Sequence, residues 1–234
     1  MDRKFIRTIS LLGRESVDKL NNSKVALFGV GGVGSYALES LVRSGVGNID
    51  VFDNDTVDES NINRQIIATS LNVGEKKTDA AIKRAREINP NINITGYDIF
   101  YMPDTADGVD LTKYDYIIDA IDTVTAKLEL IVRAKDKSIP IISVMGTGNK
   151  MDPTAIKVSD VYKTLGCPLA RVMRYELKKR GIKKLKTVWS SELPKKQIEV
   201  GETKPGRTAP ASACFVPAAA GITAAAEVVK DLIK

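Results

Sequence analysis

The chain of 234 residues has no histidine. Proton transfer in any reaction it catalyses must therefore use carboxylates, lysine, tyrosine, cysteine, water or the substrate itself. Cysteine is nearly absent too. Cys167 and Cys214 are the two present, and no C-x-x-C pair occurs, which excludes a disulfide framework and a four-cysteine zinc site. Long apolar runs are missing: none approaches the roughly eighteen residues needed to span a bilayer, and Met1-Asp2-Arg3-Lys4 does not lead into the apolar stretch of a signal peptide. No transmembrane segment and a cytoplasmic location are the resulting expectations. Hydrophobic content of 43% and charged content of 27% are those of a globular protein with one sizeable core.

Acidic residues are scarce in one region. Between Lys163 and Arg207 there are 13 Lys and Arg against 4 Asp and Glu, a local net of +9 in a chain whose total is +6. The series Arg171, Arg174, Lys178, Lys179, Arg180, Lys183, Lys184 and Lys186 can be the solvated face of a helix. Its concentration also suits a polyanion, which it would attract by steering and counterion release, so nucleic acid is the expected partner.

What is present is a βαβ alternation. A helix is expected within the first twenty residues, then strands at 24–30, 49–53, 93–98, 114–120 and 140–145, with helices at 33–44, 75–88 and 123–137 between them. This predicts an α/β fold, a Rossmann-like, mostly parallel sheet wrapped by helices. Beyond residue 150 the pattern loosens into a smaller α+β extension: strands at 155–160 and 187–190, a basic helix at 169–180, a long mobile loop at 194–213, and an alanine-rich terminal helix from 216. Residues 1–150 are expected to form the core of the sheet, with the N-terminal helix ahead of its first strand. Residues 151–234 are expected to form the basic substrate region, packed into the same fold.

Gly29, Gly31 and Gly34 have the G-x-G-x-x-G spacing at a strand-to-helix turn, with Gly32 inside it. Asp53 closes the second strand nineteen residues later, where an acid accepts hydrogen bonds from ribose hydroxyls. These features fit NAD and ATP equally, and alone they favour a nicotinamide enzyme. The next polar residues do not fit one. Asn61, Arg64 and Gln65, then Lys77 after Gly74, would bring two cations to the glycine loop, which suits a triphosphate better than the internal phosphates of a dinucleotide. Asp122, just past the fourth strand, faces the ligand crevice of such a sheet and is a natural Mg²⁺ ligand, with helix capping as its structural alternative. For Asp119 a structural and a functional role are both open.

Together these segments, with Asp53-Asn54-Asp55 and Ser60-Asn61-x-Asn63-Arg64-Gln65, resemble the ubiquitin-activating-enzyme (HesA/MoeB/ThiF) superfamily, whose bacterial members adenylate a carboxylate with ATP. The resemblance implies that Gly29, Gly31, Gly32 and Gly34 border the nucleotide and that Asp53 holds the ribose, with Asp55 and Gln65 also in the nucleotide site. It implies further that Asn61, Arg64 and Lys77 hold phosphates, and that Asp122 supports Mg²⁺. It also implies a homodimer in which an N-terminal arginine reaches the neighbouring subunit's ATP: Arg7 here, with Arg14 the second candidate. A monovalent cation is a further candidate ligand, and a sulfur-transfer or cysteine desulfurase system a further candidate partner.

The C-terminal third narrows the resemblance. Members that activate sulfur-carrier proteins usually carry two C-x-x-C pairs, which this chain lacks. Gly148-Asn149-Lys150-Met151-Asp152-Pro153-Thr154, Pro168-Leu169-Ala170-Arg171-Val172, Ser190-Ser191-Glu192 and Ala211-Ser212-x-x-Phe215-Val216-Pro217 are similar instead to the tRNA threonylcarbamoyladenosine dehydratases. That family implies a tRNA anticodon loop as substrate, contacted here by Arg171, Arg174, Lys178 and Lys179, and catalysis by Arg64, Lys77, Asp122 and Arg7. An adenylyltransferase for a ubiquitin-fold sulfur carrier is the alternative. Cys167 could form a transient thioester in such a reaction or be structural, and Cys214 is read as structural.

Overall fold

The computed structural model describes residues 3–198 and 210–234. A seven-stranded sheet carries the chain: β1 (Lys24–Phe28), β2 (Asn48–Phe52), β3 (Asn93–Tyr97), β4 (Tyr116–Asp119), β5 (Ile141–Val144), β6 (Ile156–Asp160) and β7 (Lys186–Ser190). Their order is β3-β2-β1-β4-β5-β7-β6, parallel throughout except for β6, which pairs antiparallel with β7. The helices are α1 (Ile6–Leu12), α2 (Arg14–Asn22), α3 (Gly34–Ser44), α4 (Lys77–Ile88), α5 (Val124–Asp136), α6 (Pro168–Lys179) and α7 (Phe215–Leu232). The α/β, Rossmann-like class expected from the βαβ alternation is the observed one, with strand boundaries shifted by a residue or two. Part of the loop expected at 194–213 lies outside the described residues.

Strand alternation sorts side chains between two cores. Val25 and Leu27 join Ile49, Val51, Ile118 and Ile142 beneath α3, α4 and α7. Ala26 and Phe28 point the other way, with Ile117 and Ile141, beneath α5 and α6. Each central strand is thus buried on both faces, as an interior parallel strand must be.

The single N-terminal helix expected over the first twenty residues is instead two. Gly13 breaks it at φ 86°, ψ 156°, a backbone region open to glycine, and α2 restarts at once from the Gly13 carbonyl. The segment ahead of the break is anchored where α3 and α4 end. Lys4 Nζ donates to Asn89 at 2.8 Å, and Phe5 lies beside Gly45.

At the other terminus α7 packs its buried Ala220, Ala224, Ala225 and Val228 against α3 and the sheet. Its last turn is held by charge. Asp231 accepts from Lys186 Nζ at 2.7 Å, Lys234 Nζ at 2.7 Å and Tyr116 Oη at 2.8 Å. Burial acts to raise the Asp231 carboxyl, but those three donors outweigh it and hold the group at about 2. Because the folded value lies below the unfolded one of about 3.9, this contribution to stability is complete above about pH 5 and is lost as pH falls through about 2. Urea titrations should therefore show stability dropping across that window, and Asp231→Asn should remove that part of the drop. An unchanged slope in the variant would assign the acid sensitivity elsewhere.

Candidate nucleotide site

The strand order reverses between β1 and β4, and a doubly wound sheet binds ligands at the carboxyl ends of the strands flanking such a reversal. β1 runs there into the glycine loop. Gly29 has φ +87°, and a Cβ on it would stand 2.8 Å from the Ala120 carbonyl oxygen that follows β4. At Gly34 a Cβ would lie 1.8 Å from the Gly29 carbonyl. Both are places where backbone meets backbone, and no side chain fits. Gly31 and Gly32 lie between them, beside Gln65 and Arg64 respectively.

Asp53, just past β2, ties the neighbouring loops together. Its Oδ2 accepts the Val30 N–H at 2.7 Å and its Oδ1 the Asp55 N–H at 3.0 Å. Burial pushes its carboxyl above the usual range, against the pull of those two amides and of Lys77. Each oxygen keeps a lone pair for a further donor such as a sugar hydroxyl. Lys77 opens α4 as a buried side chain whose Nζ lies 2.6 Å from Asp55 Oδ2, while its own N–H donates to the Asp55 carbonyl at 2.9 Å. Asp55 thereby holds the ammonium where it acts on the Asp53 carboxylate.

The Asn61–Gln65 segment packs against the glycine loop. Asn61 completes a capping box with Asp58, accepting the Asp58 N–H at 3.2 Å. Its role is to shape the turn, and its buried side chain stays at the site. Arg64 Nη1 donates to the Ser60 carbonyl and to Asn63 Oδ1, both at 2.8 Å, with Cγ 3.5 Å from where a Gly32 Cβ would stand. Gln65 Oε1 is buried and has no donor among the described residues. A ligand N–H or O–H, or a phosphate-bound water, would satisfy it. Asn63 Nδ2 donates to the Ser212 carbonyl at 2.9 Å, so the segment before α7 also closes on this site. The spacing around Asn63 carried no signal for that contact.

Asp119 and Asp122, three residues apart at the end of β4, have opposite environments. Asp119 is fully buried and takes Lys127 Nζ at 2.9 Å, the Ser143 hydroxyl at 2.6 Å and the Ile121 N–H at 3.2 Å. Lys127, itself fully buried, also donates to the carbonyls of Ile121 and Val144. The two roles open for Asp119 resolve to structure: with Lys127 it locks the loop that carries Asp122. Asp122 is exposed, and among the described residues its hydrogen-bond partner is the Thr123 hydroxyl at 3.3 Å. Thr123, not Asp122, occupies the N-cap of α5, and it caps with no side-chain bond. Lys127 was missed in the sequence, although a lone lysine among Ala126, Leu130, Ile131 and Ala134 and a lone acid in an apolar strand each imply a buried partner.

Other expected residues lie elsewhere. Arg7 is exposed on α1, whose lead-in is anchored at the end of the sheet opposite the crevice, so it does not join its own chain's site. Arg171, Lys178 and Lys179 are exposed on α6. Arg174 points inward, donating to the Thr164 carbonyl at 2.8 Å and hydroxyl at 2.6 Å, so its guanidinium braces the turn before α6. Cys167 is buried at the start of α6, and half-buried Cys214 lies 3.0 Å from Tyr36 Oη. Lys150 carried no signal of its own in the sequence. It is buried against the Ser190 carbonyl at 3.1 Å, and burial lowers its ammonium below the usual lysine range.

A tRNA threonylcarbamoyladenosine dehydratase of Bacillus subtilis is 40% identical over 244 residues, covering all of this chain and 96% of its own. Two crystal structures of the E. coli enzyme of that name, TcdA, cover 99% of this chain and 94% of theirs at 34% identity. The complex with AMP has a TM-score of 0.89 and the complex with ATP 0.86. The ThiF family model matches residues 3–234. The nucleotide crevice, the basic helix and the terminal helix thus all fall within one matched span, and the chain belongs to the ThiF family.

Proposed function

We propose that this chain is an ATP-dependent tRNA threonylcarbamoyladenosine dehydratase. The observation that supports the reading is the glycine loop at the sheet's switch point, with Asp53 on the Val30 N–H and Arg64 beside Gly32, in a chain alignable end to end with an enzyme of that name. In the reaction, a carboxylate oxygen of the threonyl group attacks the α-phosphorus of ATP, and the bond to pyrophosphate breaks. The acyl-adenylate is captured by the substrate's own carbamoyl group, which loses a proton as AMP departs, so the tRNA loses one water in total. An internal nucleophile requires no catalytic cysteine, in keeping with the buried Cys167.

Arg64 supplies a fixed fork beside the loop and Lys77 a compact charge at the start of α4, and both neutralise charge gathering on the departing pyrophosphate. Asn61 and Gln65 shape and line the phosphate pocket, and Asp53 holds the ribose. Mg²⁺ suits the donor set: Asp122 is exposed, its hydrogen-bond partner among the described residues is the Thr123 hydroxyl at 3.3 Å, and its carboxylate would share an ion with phosphate oxygens and water. Bound there, the ion would supply further neutralisation of the triphosphate. A monovalent cation is an added expectation.

A homodimer is supported by α1, which buries none of its side chains and exposes Ile6 and Leu11, and which carries Arg7 away from its own site. Arg7 acts, in this reading, on the ATP of the second subunit. Residues 1–150 do the adenylation and residues 151–234 meet the RNA. Among the described residues no helix is long and apolar enough to cross a membrane. A cytoplasmic location is the one in keeping with a tRNA substrate. A sulfur-transfer or cysteine desulfurase partner rests on the superfamily's chemistry alone.

The test is acceptor specificity. Pyrophosphate release from ATP should occur with threonylcarbamoylated tRNA, and should be absent with unmodified tRNA and with a small carrier protein ending in Gly-Gly. Release with the carrier alone would establish the adenylyltransferase alternative instead.

A further inference from the structure

The basic helix α6 carries an exposed aromatic side chain that neither the core nor the nucleotide site uses. Ala170, Met173 and Leu177 bury its inner face. Its outer face carries Arg171, Val172, Tyr175, Lys178 and Lys179, at positions three and four apart that lie along one stripe. Tyr175 is 62% exposed at the middle of that stripe. Lys179 Nζ lies 4.1 Å from its ring centroid, covering one face of the ring and leaving the rest open. The one acid of this helix, Glu176, is engaged by Arg180 at 2.5 Å and Lys179 at 3.6 Å, while Arg171 and Lys178 have no ion-pair partner among the described residues. The stripe is therefore cationic with an aromatic centre.

Its place in the fold puts it beside the reaction. The loop leaving β5 emerges on the same sheet edge as the glycine loop, and a Cβ on its Gly146 would lie 3.6 Å from Leu169 Cβ and 3.9 Å from Cys167 Sγ. The first turn of α6 thus abuts the crevice. Tyr175 stands about 10 Å further along the helix axis, at 1.5 Å per residue from Pro168.

We propose that Tyr175 is a stacking platform for an unpaired nucleobase that neighbours the reacting nucleotide in a single-stranded RNA loop, with Arg171, Lys178 and Lys179 on the flanking phosphates. This rests on the tRNA reading above and adds to it the side chain that distinguishes a looped RNA from a duplex. An aromatic ring between cations gains stacking energy from any exposed base, whereas bases inside a duplex are already stacked and cannot reach it.

The experiment compares wild type with Tyr175→Phe, Tyr175→Leu and Tyr175→Ala, measuring affinity for an anticodon stem-loop RNA, for a fully paired duplex of equal length, and for ATP. Tyr175→Phe should bind the loop as wild type does. Tyr175→Ala and Tyr175→Leu should weaken loop binding about 5- to 150-fold while the slope of affinity against salt and the affinity for ATP stay unchanged, because stacking releases no counterions. Duplex binding should not change. Loop affinity equal to wild type in the alanine and leucine variants would overturn the proposal, as would equal weakening toward loop and duplex. Failure of the tRNA reading itself is separate: it appears in the wild type, as no pyrophosphate release with threonylcarbamoylated tRNA.

Discussion

Replacing Lys127 with methionine is expected to cost about 3–5 kcal/mol of folding stability, because it leaves the Asp119 carboxylate buried without its counter-charge. In a chain of this size that corresponds to a melting temperature lower by about 6–20 °C. The lysine also donates to the carbonyls of Ile121 and Val144, so the loop bearing Asp122 loses a hydrogen-bonded strut and the end of β5 loses another. Nucleotide affinity measured at a temperature where the variant is still folded should fall as well. The double variant Lys127→Met with Asp119→Leu should recover most of the stability, since removing both charges removes the unpaired one. A thermal melt of the single variant that matches wild type would show that water or another cation satisfies Asp119.

Arg64→Ala should lower the rate of pyrophosphate release about 10²- to 10³-fold, the usual cost of one donor aimed at charge that develops in the transition state. Stability should change little. The guanidinium is only half-buried and its partners are the Ser60 carbonyl and Asn63 Oδ1, which water can replace. The contrast with Lys127 separates chemistry from architecture: one variant folds and does not turn over, the other does not fold well. If Arg7 completes the site of the second subunit, mixing Arg64→Ala subunits with Arg7→Ala subunits should restore part of the activity through one intact composite site. No recovery at any ratio would remove Arg7 from the reaction.

Much of this site was legible in the linear order of residues. The glycine spacing, the acid ending the second strand, and the lysine opening the next helix are local events at strand-to-helix turns. There, backbone conformation and sequence distance alone bring groups to one edge of a parallel sheet. The same logic placed Asp122, because a residue just past a central strand is already at the crevice. The basic stretch was legible as a helix for a similar reason, since Ala170, Met173 and Leu177 mark its buried face.

Other features depend on contacts between segments far apart in the chain, and no spacing encodes them. Arg174 sits among cations, yet it turns inward because the Thr164 carbonyl and hydroxyl meet it across the turn before α6. Asn63 reaches Ser212, 149 residues away, because α7 packs on α3 and brings its lead-in to the glycine loop. The N-terminal helix breaks at Gly13 even though its apolar spacing continues, since a glycine free to reach φ 86° lets the chain turn between two packing directions.

Short-range periodicity and turn chemistry carried the α/β class and the edge of the sheet at which the glycine loop, Asp53 and Asp122 emerge, because each of these is a local event at the end of a strand. Tertiary structure alone decided which of two neighbouring aspartates is buried with a lysine and which stays open to a ligand. It also decided which arginines on a basic helix are struts and which tyrosine is left exposed. Those outcomes depend on desolvation, and whether a group keeps its water is settled only when the far segments of the chain have packed around it.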